Sequence, residues 1–201
     1  MHKITDIPAL EALYGTPGGP AMLKVADRLT PLYSKWITSS KLCVLSTVGP
    51  KGTDGSPRGD DGPVVFELDA FTLAMPDWHG NNRLDSLRNI VTDGRVSLMF
   101  LVPGSNNVMR VNGRAYLTDD PDMRARFEKK SHLPATVIVI QIGEVYSQCA
   151  RALMRAGTWS GVDESGGLPS MGDILSEMTS GKEGGAPYDD AWGARAEKTM
   201  W

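Results

Sequence analysis

The chain has 201 residues, a formal net charge of −3, 41% hydrophobic residues and 22% charged residues. This composition is that of a globular protein with one domain, or one domain with extensions, and it excludes a disordered or fibrous chain. The chain as a whole also lacks the basic field that a sequence-independent nucleic-acid binder needs.

The first part of the chain is predicted to be helical. Asp6, with a proline two positions later, is typical of a helix start, and the glycine- and proline-rich segment 15–20 ends that helix. Apolar residues then recur at three- and four-residue steps over 22–37, which indicates an amphipathic helix that is kinked or restarted at Pro31. We therefore expect residues 1–41 to form an N-terminal helical extension.

From about residue 42 the apolar pattern becomes that of β-strands. Six strands are predicted, at 42–48, 64–68, 71–75, 96–102, 108–117 and 137–142. A loop is predicted at 49–55, and two short helices at 83–91 and 120–130 interrupt the strands. Hairpin-linked strands with few helices favour a small antiparallel barrel over a parallel sheet. The predicted fold class is therefore mainly β, a β-barrel with flanking helices, and its core spans 42–148.

The C-terminal part is predicted to be an arm. After Trp159 the chain is polar and rich in glycine, and it contains one predicted helix, 171–179, capped by Ser170. It lacks the apolar residues for a core of its own. We expect residues 149–201 to form a helical arm that contacts a partner subunit.

The first candidate site is the polar cluster SPRGDDG at 56–62. Glycines let a ligand approach the backbone closely, and Arg58 can bind a phosphate through two parallel hydrogen bonds. The alternative is a solvated turn.

The second candidate site is the segment PDWHGNNRLD at 76–85. A helix is predicted to begin at Asn81 or Asn82, and its free N–H groups would favour an anion. Arg83 is unfavourable in the first turn of a helix unless a phosphate lies there. Together with Arg58, this segment favours a phosphate site over an ordinary surface arginine.

The third candidate segment, 148–159, follows the last predicted strand. Arg151 and Arg155 are four residues apart and would share one helix face, with Trp159 one turn later. Two cations near an indole can bind an anionic aromatic ligand, and they can equally be a solvated face with a packing tryptophan. The residues alone leave both readings open.

No catalytic residue can be assigned from the sequence. The three histidines have no metal-ligand spacing, and no nucleophile, base and acid can be assembled into a triad. Cys43, in a predicted strand, is expected to be a buried apolar group, and Cys149 a non-reactive thiol. Without a signal segment or a membrane span, the expected location is the cytoplasm.

Taken together, these segments resemble the pyridoxamine 5'-phosphate oxidase-like FMN-binding split-barrel superfamily, and within it a subgroup of FMN-dependent proteins of unclear activity. The resemblance spans nearly the whole chain. It is carried by SPRGDDGP (56–63), PDWHGNNRLDSLRNI (76–90), LMFLVPG (98–104), RVNGRA (110–115), CARALMRAGTW (149–159) and DAWGARAEKTMW (190–201).

The resemblance implies a six-stranded antiparallel split barrel that forms a homodimer, with FMN in a groove between the subunits. It implies these roles: Arg58, Arg83, Ser56 and Asn82 at the FMN phosphate; Pro76, Asp77 and Trp78 along the isoalloxazine edge; Arg110 near the ring or ribityl chain; Arg151, Arg155 and Trp159 facing the cofactor or substrate from the other subunit.

The activity implied is that of an FMN-dependent oxidoreductase of unknown substrate and electron donor. Pyridoxamine phosphate oxidase itself binds the substrate phosphate with an arginine–histidine motif that this chain lacks, so vitamin B6 oxidation is not expected. The alternative is a non-enzymatic flavin, deazaflavin or haem binding protein on the same barrel, because a shared fold does not establish an activity. No nucleic-acid or membrane partner and no metal ion is expected.

Overall fold

The fold combines one antiparallel sheet of seven strands with nine short helices, and the computed structural model describes all 201 residues. The strands are β1 (Leu42–Gly49), β2 (Gly52–Gly59), β3 (Phe66–Asp69), β4 (Thr72–Asp77), β5 (Arg95–Leu101), β6 (Asn107–Thr118) and β7 (Thr136–Cys149). The helices are α1 (Ile7–Tyr14), α2 (Gly19–Leu23), α3 (Pro31–Ile37), α4 (Asp85–Thr92), α5 (Pro121–Ala125), α6 (Arg151–Arg155), α7 (Met171–Met178), α8 (Ala186–Asp190) and α9 (Trp192–Lys198).

The core lies on one face of the sheet. The strand order is β2-β1-β5-β6-β7-β4-β3, and every neighbouring pair is antiparallel. Alternate side chains of the strands point to this face, as Leu45 of β1 and its cross-strand partner Leu98 of β5 illustrate. They belong to a cluster of 19 buried residues that also includes Ile37 of α3 and Ile90 of α4.

The sheet curls until its two ends approach each other. Arg58 of the edge strand β2 forms an ion pair with Asp77 of β4, which lies beside the opposite edge strand. The long strands β6 and β7 bend at a register shift between Asn112 and Gly113. A Cβ atom at Gly113 would lie 2.0 Å from the Gln141 carbonyl oxygen, so this close approach requires glycine.

The predicted fold class is confirmed in its antiparallel sheet and corrected in two respects. The sheet has seven strands instead of six, and no hydrogen-bonded ladder joins β2 to β3 or β4, so the curled sheet remains open. Helices are also as numerous as in a mixed α and β protein, so the class "mainly β" was too narrow.

The missing strand is β2, where the sequence predicted a loop over 49–55. Its residues alternate between exposed and half-buried positions and include no large apolar side chain, so it carries no hydrophobic period. Its pairing with β1, from Leu42 opposite Gly59 to Gly49 opposite Gly52, comes from backbone hydrogen bonds. Pro57 fits because an edge strand has one side without a ladder.

The helices of the N-terminal and C-terminal segments agree only in part with those predicted from the sequence. Asp6 caps α1 through its side chain, and Ser170 caps α7 in a reciprocal capping box, as predicted. The restart of the helix at Pro31 is confirmed, because α3 begins there. The part predicted before Pro31 is reduced to the short α2, and the residues between α2 and α3 pair with the sheet through Ala26 and Val145. The charged helix predicted to reach residue 130 ends at Ala125.

No helix of this chain combines the length and the apolar character that a membrane crossing requires.

Candidate functional site

Two adjoining cavities lie where the ends of the curled sheet meet. The first cavity, of about 890 Å³, is lined by 54–58 of β2, by 77–88 of the following loop and α4, and by Val91, Thr92, Leu117, Ala135 and Thr136. The second cavity, of about 680 Å³, is lined by 56–61, Val64, Met75, Pro76, 78–81, Met200 and Trp201. They share 56–58 and 78–81, so a ligand in one cavity adjoins the other.

Three polar side chains converge at the inner end of the first cavity. The Arg58 guanidinium donates through Nη1 to the Asp77 carboxylate, and both side chains are largely buried, at 20% and 12% exposure. Asp77 lies directly opposite Thr136 in the β4–β7 ladder. The sheet therefore brings together an arginine, an aspartate and a threonine from three strands.

Two polar atoms of this group have no partner. The Arg58 Nε and the Thr136 Oγ1 are buried and make no hydrogen bond, and they are the only such side-chain atoms of the protein. A buried polar group without a partner is costly, so such atoms call for a ligand or another role. Both residues line the first cavity, and both atoms can donate to an anionic oxygen. This donor set fits a phosphate group.

The loop before α4 differs from the prediction. The helix begins at Asp85, later than the predicted start at Asn81 or Asn82, and its N-cap is Leu84. The Asn81 side chain accepts a hydrogen bond from the Arg83 amide at 3.1 Å, a local turn that competes with the helix. Asn82 and Leu84 then take left-handed conformations, with φ of 58° and 60°. No side chain caps the helix start, so the N–H groups of its first turn remain available to an anion.

Arg83 lies on the outer side of the first cavity. Its side chain is 76% exposed, and its Nε donates to Asp85 at 2.9 Å. The positive charges of three lining arginines are balanced by the negative charges of three lining aspartates. The arginines are Arg58, Arg83 and Arg88, and the aspartates are Asp54, Asp77 and Asp85. An anionic ligand would therefore be held by individual donors and not by a broad positive field.

The second cavity has an aromatic wall. The Trp78 indole nitrogen donates to the Asp60 carboxylate at 2.9 Å, which fixes the ring. Trp201 meets Trp78 edge to face, with ring centroids 5.4 Å apart and an angle of 88°. Lys129 bridges Asp60 and Asp61 and lies over the Trp201 ring. Its hydrogen bond lowers the pKa of the Asp61 carboxyl.

The sequence-predicted site residues fall into two groups. The cavity walls contain Ser56, Arg58, Pro76, Asp77, Trp78, Asn82 and Arg83. The walls of neither cavity contain Arg110, Arg151, Arg155 or Trp159. Three further residues of the site, Thr136, Lys129 and Trp201, were not predicted. Thr136 and Lys129 lie in no motif, and Trp201 ends the segment 190–201 that carries part of the resemblance but had no assigned role.

The second group has other surroundings within the chain. Arg110 places its guanidinium over Tyr146, 5.3 Å from the ring centroid, on a strand position between the buried Met109 and Val111. Trp159 donates from its indole nitrogen to the Ser105 carbonyl at 2.9 Å. The two arginines of α6 are exposed at its two ends.

The histidines and carboxylates present no catalytic set. His79 is exposed and lines both cavities without a hydrogen-bond partner. No three His, Cys, Asp or Glu side chains are grouped so as to hold a metal ion. The cavities therefore offer binding and orientation, with no assembled nucleophile and base.

Both cysteines are free, and in the native protein only Cys149 is accessible to a reagent, although the sequence led us to expect a non-reactive thiol there. Burial raises the pKa of the Cys43 thiol to about 12, whereas Cys149 is exposed. At pH 8 a thiol-reactive disulfide reagent should label one thiol per chain, and two after denaturation. A native chain that exposes two reactive thiols would contradict the buried position of Cys43. A Cys149→Ser variant should lose the native reaction.

Comparison with known proteins identifies relatives of this fold. The family model described as Pyridoxamine 5'-phosphate oxidase matches residues 29–149. None of the curated proteins compared with the chain matches it.

The similar solved structures include HupZ from Group A Streptococcus, at 16% identity and a TM-score of 0.50, over 61% of this chain and 95% of that chain. They also include a candidate pyridoxamine 5'-phosphate oxidase from Lactobacillus delbrueckii, at 23% identity and a TM-score of 0.49, over 60% and 95%. A third is an FMN-binding protein from Syntrophomonas wolfei, at 12% identity and a TM-score of 0.44, over 57% and 84%. At these identities, the likeness to HupZ shows the fold alone.

Proposed function

Since the chain belongs to the pyridoxamine 5'-phosphate oxidase-like family of FMN-binding split-barrel proteins, we propose that it binds FMN in the first cavity and acts as an FMN-dependent oxidoreductase. The observation that carries this proposal is the pair of unpartnered buried atoms, Arg58 Nε and Thr136 Oγ1, in the wall of one cavity. A small rotation of the two side chains toward the cavity would give both atoms a phosphate oxygen as a charge-assisted acceptor.

The volume and the lining residues of the first cavity also suit FMN. Its volume of about 890 Å³ lies within the range of roughly 300–1,000 Å³ for sites that hold cofactors. Arg83, Asn82 and the uncapped start of α4 also line this cavity and would hold the other phosphate oxygens.

The flavin ring would extend toward the second cavity. Pro76 and Trp78 line that cavity, and the Trp78 ring is held by Asp60, so a planar aromatic group would meet a fixed surface there. Bound FMN would supply reversible hydride or electron transfer. The chain's own residues would bind, orient and partly enclose the ring. This division of labour fits a site without a catalytic triad.

The proposed active form is a homodimer in which the sheet of the split barrel, residues 42–148, is flanked by the extensions 1–41 and 149–201. The first cavity is open on one side, where Val91 is 73% exposed and Leu84 is 44% exposed. The exposed arginines of α6 could reach the cofactor only from another subunit, because they do not line the cavities of their own chain.

The proposed cofactor is tested by the absorption spectrum. Protein incubated with FMN and freed of unbound ligand should be yellow, and it should release FMN when denatured. NADH or NADPH together with an electron acceptor should cycle the bound flavin if the protein is an oxidoreductase. A colourless protein that gains a Soret band with haemin would contradict the flavin assignment.

Arg83→Ala is expected to weaken FMN binding by roughly tenfold to a hundredfold, because a hydrogen bond to a charged group contributes about 1.5–3 kcal/mol. Riboflavin lacks the phosphate, so its affinity should change little. Titration calorimetry or flavin fluorescence gives both dissociation constants.

The matched control for this variant is Arg95→Ala. Arg95 pairs with Asp93, two residues away, as Arg83 pairs with Asp85, but it lines neither cavity. The control should bind FMN as the unchanged protein does. Equal losses of FMN and riboflavin in Arg83→Ala would show that Arg83 does not contact the phosphate.

A further inference from the structure

The outer wall of the second cavity is formed by two residues that are distant in sequence from the rest of its lining. Trp201 and Met200 come from the C-terminal segment, whereas the other lining residues lie between 56 and 81. The Trp201 indole stands edge-on to Trp78, at an angle of 88° and a centroid distance of 5.4 Å. This is the preferred geometry of an aromatic pair.

The side-chain contacts of Trp201 are made by the face and edge of its ring, without a hydrogen bond. Lys129 Nζ lies 4.0 Å from the centre of its ring, and Lys130 Nζ lies 5.4 Å away. These distances are those of cation–π contacts. No hydrogen bond of the structure involves Met200 or Trp201. The position of the indole therefore depends on the two lysines and on Trp78.

The lysine that holds Trp201 is itself fixed by the site. Lys129 pairs with Asp60 and Asp61, and these hydrogen bonds outweigh its partial burial and raise the pKa of the ammonium group. Asp60 also accepts the Trp78 indole N–H at 2.9 Å. One carboxylate therefore sets the orientation of Trp78 directly and that of Trp201 through Lys129.

We infer that Trp201 is a positioning residue of the flavin site: with Trp78 it forms an aromatic wall that holds the planar ring of the bound ligand in the second cavity. This inference rests on the proposed binding of FMN. It assigns the ring to Trp201 and Trp78, and leaves the phosphate to Arg58, Thr136 and Arg83. A loss at Trp201 therefore affects ligands with and without the phosphate equally.

The test is the affinity of Trp201→Ala for FMN and for riboflavin. Both dissociation constants should rise by about tenfold, the scale of one aromatic contact with its cation–π support. The dissociation rate of FMN should rise with them. Trp201→Phe keeps an edge-to-face ring and should retain most of both affinities.

The matched control is Trp192→Ala. Trp192 is a half-exposed tryptophan of the same C-terminal segment, and it lines neither cavity. This variant should bind both flavins as the unchanged protein does. Trp201→Ala and Trp192→Ala with equal affinities would overturn the inference, as would a loss in Trp201→Ala that is confined to FMN.

The two proposals fail in different ways. If the unchanged protein binds neither FMN nor riboflavin, the proposed function itself is wrong, and the inference falls with it. If the unchanged protein binds both and Trp201→Ala binds them equally well, only the role of Trp201 is wrong. Thermal unfolding without ligand should be lowered only slightly in Trp201→Ala, since Trp201 is half-buried and its ring contacts with Trp78 and Lys129 include no hydrogen bond.

Discussion

Arg58→Met is expected to lower the free energy of unfolding by about 3 kcal/mol and to weaken FMN binding roughly a hundredfold. The loss of stability follows because the Asp77 carboxylate, 12% exposed, would lose its ion-pair partner. The loss of affinity follows because the variant removes a charged donor of the first cavity, whose Nε has no partner within the protein. Urea unfolding without FMN measures the first effect, and FMN titration measures the second.

The double variant Arg58→Met/Asp77→Asn separates the two effects. Neutralising Asp77 should restore most of the lost stability, whereas FMN binding should stay weak because no guanidinium returns. A surface control is Arg28→Met, since Arg28 pairs with Asp27 at 57% and 72% exposure, and it should change stability by less than about 1 kcal/mol. Recovery of FMN affinity in the double variant would show that Arg58 serves only to balance Asp77.

A mixed dimer is expected to recover one cofactor site from two defective chains. One chain would carry Arg83→Ala, and the other would carry Arg151→Ala with Arg155→Ala. If each site takes its phosphate contacts from one subunit and its α6 arginines from the other, the mixed dimer contains one intact site, and each homodimer contains none. The readout is FMN stoichiometry at a concentration a few times the dissociation constant of the unchanged protein.

The control for the mixed dimer is a pair of differently tagged, unchanged chains, which should bind two FMN molecules. The mixed dimer should bind one. A mixed dimer that binds no more FMN than the defective homodimers would mean that each site is built within one chain, and a monomer in solution would exclude sharing altogether.

The sequence predicted six of the seven strands and two arginines that line the first cavity of the candidate site. The segment 96–102 is a short apolar run, and apolar residues alternate with polar ones in 108–117. Both patterns are typical of strands, and both segments form strands that contribute side chains to the core. Arg58 and Arg83 stood out because arginines near glycines or a helix start have a known use with phosphates. The cavity walls contain both.

The parts that the sequence missed depend on long-range contacts. Strand β2 is polar and is held by its backbone pairing with β1, so it has no apolar signal. Thr136 is an ordinary strand residue until the β4–β7 ladder puts it opposite Asp77 and leaves its hydroxyl without a partner. Trp201 meets Trp78 and Lys129 only when the C-terminal segment folds against the sheet.

The start of α4 was misplaced for a local reason. Asparagine is a good N-cap, and two asparagines precede the apolar residues of the helix. The Asn81 side chain instead closes a turn on the Arg83 amide, and the next residue takes a left-handed conformation that asparagine tolerates. Asn81 thus closes a turn four residues before the helix begins at Asp85.

A crystal structure of the protein with FMN tests the central claim most directly. The account predicts phosphate oxygens within hydrogen-bond distance of Arg58 Nε and Thr136 Oγ1, with Arg83 on the outer side and the flavin ring against Trp78. A phosphate bound elsewhere, with Arg58 Nε and Thr136 Oγ1 satisfied by water, would contradict it.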